Sequence, residues 1–177
     1  MRAALAAFAW FLCPAAAAAE VTSASATGFH IESETLLAAP AADAWRALAQ
    51  IERWWSSAHT YSGDARNLSL QPRAGGCWCE QWGGSSVEHG RTILAMERDG
   101  AYTLRLDAAL GPLQAAGAQG VLTFTITPEA SGARLRMSYR VSGAPGLGLD
   151  AMSAPVNAVM MEQFGRLSRL VSTGSPD

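Results

Sequence analysis

Lysine is absent from the 177-residue chain: all 13 basic residues are arginine. That excludes Schiff-base lysine chemistry and the lysine of a phosphate-binding P-loop. Charge is scarce as well, at 16% of residues with a formal net charge of −2, which argues against a nucleic-acid partner. There is no Gly-x-Ser-x-Gly elbow, no His-Glu-x-x-His helix and no Gly-x-Gly-x-x-Gly between a strand and a helix; Gly146-Leu147-Gly148 is only a fragment of the last. No internal repeat is present. Histidine and cysteine number three each, so any chemistry must come from a short list of polar side chains.

The only long apolar run lies at the start. In residues 1–19, Arg2 is the sole charge, Leu5 to Cys13 is apolar, and Ala17-Ala18-Ala19 offers small residues for cleavage before Glu20. This reads as a secretory signal, so the expected product is secreted, in a bacterium periplasmic, with no stable membrane span after cleavage. An uncleaved anchor is disfavoured because a span needs about 20 apolar residues. Acylation at Cys13 is disfavoured by the bulky Trp10-Phe11-Leu12 before it. Without residues 1–19 the chain holds 12 arginines against 15 acids, a net of about −3. The expected organisation is a signal over 1–19, a linker over 20–27, one domain over 28–171 and a tail over 172–177. Its 49% hydrophobic content is enough for one core. The sequence leaves the oligomeric state open.

Period-two alternation marks a first strand at Phe29 to Leu37. Pro40 then opens a helix over Ala41 to Ile51, with a second short helix over Glu52 to Ser56. Strands follow around Asn67 to Leu70 and at Cys77 to Trp82, Val87 to Glu97, Ala101 to Ala108, Val121 to Thr127 and Ala133 to Val141. Gly83 to Ser86, Arg98 to Gly100 and Glu129 to Gly132 are hairpin turns. Gly111-Pro112 opens a loop, and Ser142 to Leu149 is a hinge. From Asp150 to Val171, Val156, Val159, Met160, Phe164, Leu167, Leu170 and Val171 form one apolar helix face. A run of antiparallel strands followed by one long helix is an α+β pattern.

Several segments together resemble a known superfamily: Ala39-Pro40 through Trp45, Trp54-Trp55, His59-Thr-Tyr-Ser-Gly63, Gly75-Gly-Cys-Trp-Cys-Glu80, Val87-Glu-His89 and Leu110-Gly-Pro-Leu-Gln114. The chain is similar over Gly28 to Val171 to the SRPBCC superfamily of START-like, polyketide cyclase-like proteins, and to a secreted bacterial branch of it to which no catalytic residues are assigned. The resemblance implies a helix-grip fold: a seven-stranded antiparallel sheet curved around the C-terminal helix, two short helices after the first strand, and a cavity between sheet and helix. Fold alone does not fix function, since the superfamily spans carriers, receptors and enzymes.

A cavity of this kind predicts a small hydrophobic or aromatic ligand. The candidate lining is Met152, Val156, Met160 and Phe164 on the helix, with Leu104, Leu106, Phe124, Met137 and Tyr139 opposite. His59 and Tyr61, on the turn after the double tryptophan, stand at the rim, Trp55 is a further candidate contact, and Gln114 on the loop is a donor to a ligand carbonyl or else a plain turn residue. Trp78, Glu80 and Trp82 share one strand face, with Cys77 and Cys79 on the other, and either face can point inward. If Glu80 points inward, burial raises its proton affinity and makes it a candidate acid or base with His89 or His59. His89 is expected on the face of Val87, Arg91 and Ile93. The two cysteines are open to three readings: free thiols, a Cys-x-Cys disulfide, or ligands to a metal with His59 and His89. The last lacks the spacing of structural zinc sites, and neither metal nor cofactor is expected. Carriage of a small molecule ranks first and a cyclase or dehydratase second. An interaction module using exposed Trp54, Trp55 and Trp82 ranks third.

Overall fold

The computed structural model describes residues 20–177. The expected signal segment lies outside them. Eight strands form one antiparallel sheet in the order β1-β2-β8-β7-β6-β5-β4-β3. They are β1 (Glu20–Ser25), β2 (Gly28–Leu37), β3 (Leu68–Leu70), β4 (Cys77–Trp82), β5 (Ser85–Arg98), β6 (Ala101–Asp107), β7 (Gln119–Glu129) and β8 (Gly132–Ser142). Three α-helices complete the described residues: α1 (Ala41–Ala49), the short α2 (Pro112–Ala115) and α3 (Leu149–Thr173).

The alternation in sequence becomes the two faces of the sheet. Ala133, Leu135, Met137, Tyr139 and Val141 of β8 are buried, as are Leu122, Phe124 and Ile126 of β7 and Leu104 and Leu106 of β6. Residues between them, such as Arg136 and Arg140, face water. α3 lies across this inner face against β1, β2, β8 and α1, burying Met160, Phe164, Leu167 and Leu170. Gly174, at φ 84°, ends it by donating its N–H to the Leu170 carbonyl at 2.9 Å, a left-handed cap that glycine adopts without strain.

Three expectations are corrected. Residues 20–25, read as linker, form an eighth strand paired with β2, and Val21 packs against the core. The short second helix is a 3-10 turn over Ile51–Arg53. α3 begins at Leu149, one residue before the expected Asp150, runs on to Thr173, and carries Pro155 inside it. Proline has no N–H, so one carbonyl of that turn loses its helical partner.

The inner faces of β4 and β5 need a further device. Strict alternation would put His89, Arg91 and Ile93 on one face. Instead Trp78 pairs with Gly90 and Cys79 with Glu88, leaving His89 as an extra, unpaired residue. This β-bulge turns His89 and Gly90 inward while Arg91 stays exposed. A Cβ on Gly90 would meet the Ala108 Cβ at 2.6 Å and the Asp107 carbonyl at 2.8 Å, so only glycine fits there. A second irregularity between Thr92 and Leu94 buries Thr92 and leaves Ile93 50% exposed.

Candidate functional site

Along the half of α3 that precedes Phe164, the side that carries Met152, Val156 and Val159 stays partly uncovered. Between it, the segment around residues 55–61 and the start of α2 lies a groove of about 550 Å³. Its walls are Trp55, His59, Thr60, Tyr61, Leu110, Gly111, Pro112, Met152, Pro155, Val156, Val159 and Met160. Apolar side chains dominate, with one imidazole and two hydroxyl-bearing residues as polar points. α3 itself holds the opposite wall in place. Buried Gln163 accepts the Ser56 N–H at 2.7 Å, Arg166 Nε donates to the Trp54 carbonyl at 2.8 Å, and Glu162 Oε2 meets His59 Nε2 at 2.9 Å. The Trp55 indole N–H then donates to the His59 carbonyl at 2.9 Å.

Behind that wall sits a buried acid. Glu80, wholly excluded from solvent, accepts the N–H of Tyr61 at 3.0 Å, the N–H of Ser62 at 2.5 Å and His89 Nε2–H at 2.8 Å. Burial alone would raise its pKa. Hydrogen bonds from Ser62, Tyr61 and His89 outweigh that and hold the carboxyl below its ordinary range. A carboxylate only accepts, so His89 Nε2 must carry hydrogen, which in a neutral imidazole puts the lone pair at Nδ1. Nδ1 has no hydrogen bond within the described residues. The His89 ring lies tilted between Tyr61 and Trp78, with centroids 5.7 and 5.6 Å away. It also lines a separate polar cleft of about 330 Å³, with Glu88, Arg91, Asp107 and Gln114.

The sequence matches no family model. No curated protein matches it either. Solved structures do match in shape. A conserved protein of unknown function from Enterococcus faecalis, EF2215, superposes with a TM-score of 0.58 at 12% identity, over 89% of this chain and 78% of that one. CalU16 from Micromonospora echinospora gives 0.55 at 17% identity, over 92% and 86%. The chain has the helix-grip fold of SRPBCC-type proteins. The di-domain ARO/CYC StfQ of the steffimycin biosynthetic pathway shares it, with a TM-score of 0.52 at 17% identity over 84% of this chain, which spans about half (52%) of StfQ.

Within the helix-grip frame the candidates separate into groups. Trp55, Tyr61, Met152, Val156 and Met160 line the groove. Leu106, Met137, Tyr139 and Phe164 do not; they are sealed in the core, because the helix closes onto the sheet there. Tyr139 braces the backbone instead. Its hydroxyl donates to the Ala108 carbonyl at 3.0 Å and accepts the Leu110 N–H at 3.1 Å, fixing the segment that leads to Gly111. Burial pushes its pKa up.

Trp78 and Glu80 take the inward face, and Cys77 and Cys79 the outer one, bonded to each other as a disulfide. Trp78 packs edge-on against Trp55 at 4.9 Å, behind the groove wall. Trp82, half-buried at the far end of β4, reaches neither cavity. Gln114 donates to the Glu88 carbonyl at 2.8 Å, tying α2 to β5 across the polar cleft. His59 pairs with Glu162 and not with Glu80, so the expected acid-base set reduces to Glu80 with His89. The raised proton affinity expected of Glu80 is reversed, because three donors converge on it. Trp54 and Trp55, at 1% and 6% exposure, are core residues, which removes the exposed-tryptophan surface. Among the described residues no cluster of three His, Cys, Asp or Glu is placed to hold a metal, and no helix is long and apolar enough to cross a membrane.

Sequence reasoning missed Glu162, Gln163 and Arg166, which position the wall. Gln163 left a trace: a polar residue beside Phe164, between Met160 and Leu167, on an otherwise apolar stripe.

Proposed function

We propose that the protein binds a small, largely apolar molecule in the groove between the first half of α3 and the 55–61 and 110–112 segments. The observation that carries this is the groove itself, about 550 Å³ of mostly apolar wall in a folded domain. Small-molecule sites typically occupy about 300–1,000 Å³ with a few polar groups to orient the guest. The polar points at the rim, His59 and Tyr61, suit a guest with a flat apolar body and one hydrogen-bonding end. Methionines at 152 and 160 add walls that adapt to shape.

Anilinonaphthalene sulfonate fluorescence tests the reading. The wild-type protein is expected to enhance it, and Val156→Trp, which fills the groove, to abolish the enhancement while the far-ultraviolet circular dichroism is kept. No enhancement by the wild type, or equal enhancement by the filled variant, counts against it. The same reading has the protein exported on the strength of residues 1–19, which N-terminal sequencing of the protein recovered from its host would check by a start at Glu20.

A second reading, a cyclase or dehydratase, draws on the Glu80–His89 pair. A carboxylate that fixes the imidazole tautomer leaves Nδ1 as the ring's acceptor, and the ring borders the polar cleft beside α2, so on this reading the reacting proton is delivered there. The ARO/CYC description of StfQ, which shares the fold, is in keeping with it. Incubation with a short poly-β-keto thioester should then yield a product lighter by one water in the wild type and none with His89→Asn. Equal turnover by both would dispose of it.

A further inference from the structure

We propose that Cys77 and Cys79 are a reducible pair whose redox state sets the position of His89 on the opposite face of the sheet. The inference is independent of any ligand in the groove. Both sulfurs lie on the outer face of β4, where both cysteines are half-buried, while the residues that alternate with them, Trp78 and Glu80, are buried inside. The bond draws the two Cα atoms to 5.4 Å, whereas two steps of extended strand cover about 6.6 Å. β4 is therefore shortened where β5 carries one residue too many. The two steps from Cys77 to Cys79 face the three from Arg91 to Glu88, and the surplus residue is His89. It buckles inward onto Glu80, at 2.8 Å. Opening the bond lets β4 lengthen, reduces the mismatch and removes what presses His89 against the carboxylate.

The surroundings favour exchange. Cys77 lies directly across from Arg91 on the exposed face, and Cys79 across from Glu88, which pairs with Arg91 at 3.0 Å. The thiolate of an external dithiol attacks Cys79 Sγ; the sulfur–sulfur bond breaks and its electron pair leaves on Cys77 Sγ, a thiolate whose cross-strand neighbour is the cationic Arg91. The second thiol of the reductant then attacks the mixed disulfide and expels Cys79. The dithiol leaves oxidised to a disulfide, and its two protons pass to Cys77 and Cys79.

Dithiothreitol on the folded protein is the test. Quenching with iodoacetamide and mapping peptides is expected to show alkyl groups on both Cys77 and Cys79 while near-ultraviolet circular dichroism is retained. Nitrogen–proton correlation of the His89 ring should show a single Nε2–H tautomer when oxidised, and a shift toward mixed tautomers when reduced. Cys77→Ser with Cys79→Ser should reproduce the reduced spectrum without reductant. A bond that opens only when the protein unfolds overturns the proposal. So do His89 resonances that stay unchanged on reduction.

Discussion

The two halves of α3 do opposite things with the same kind of residue. From Phe164 onward the apolar side chains that face the core are sealed, with Phe164, Leu167 and Leu170 at 5%, 1% and 5% exposure, and only Val171 near the end is partly open. In the first half Met152, Val156 and Val159 are only half-buried and look into the groove, with Met160 at its base. Both halves carry an apolar stripe at helical spacing, so the difference lies in what is opposite. The second half meets strands and α1. The first half meets the 55–61 segment and α2, which are held away from it by their own anchors: Glu80 beneath Tyr61 and Ser62, and Tyr139 beneath Leu110. The stripe makes the helix stick, and polar anchors on the facing segments keep part of it open.

Truncation should separate the halves most sharply. Phe164→Ala removes a ring from a closed core and is expected to cost about 3–5 kcal/mol, since the site cannot collapse around the loss. Met152→Ala, in the open half, should cost under about 1 kcal/mol while changing dye binding in the groove. Urea unfolding of both variants decides the matter. Equal losses would mean that the groove is packed in solution.

The buried anchor comes next in size. Glu80→Gln removes the charge that three donors converge on, and the expected cost at neutral pH is about 3 kcal/mol. The pH dependence has a definite sign. Glu80 is held below its ordinary pKa in the folded protein, so its contribution is complete above the unfolded-state value of about 4.3 and is lost as pH falls through the folded one. Wild-type and Glu80→Gln stabilities should therefore converge below about pH 4. A constant gap down to strongly acidic pH would show that the carboxylate holds nothing.

How much of this could be read in the chain depends on the range over which its cause acts. Strands β7 and β8 and the stripe of α3 were legible because period two and period 3.6 are local properties, and the turns at Arg98-Asp99-Gly100 and Glu129 to Gly132 are local too. β1 was not, because Val21-Thr-Ser-Ala-Ser25 has almost no large side chains; it is a strand through its pairing with β2 and contact with α3. The inward turn of His89 was hidden because a bulge shifts the alternation by one, and Gly90 was its only trace in the sequence. The direction of the Glu80 shift was misjudged because burial could be guessed from the strand, but not the two amide donors that come from a separate loop.

The smallest effect concerns the rim, where the two halves of the comparison meet. Glu162 lies between the open and closed parts of α3 and bonds His59 on the facing wall at 2.9 Å. Its side chain is 42% exposed, so the pair is screened by water and Glu162→Gln should change stability by no more than about 1 kcal/mol. The substitution keeps the side-chain size and removes the charge that fixes His59, so what it alters is the freedom of the groove wall. Gln163 and Arg166 still hold Ser56 and Trp54 from the same helix, which confines any loosening to residues 57–61. Hydrogen exchange should therefore quicken at His59 and Thr60 and remain unchanged at Trp54 and Trp55. If exchange quickens along the whole segment instead, the wall hangs on this one surface pair, and the opening beside α3 depends on the charge of Glu162 more than on the buried anchors behind it.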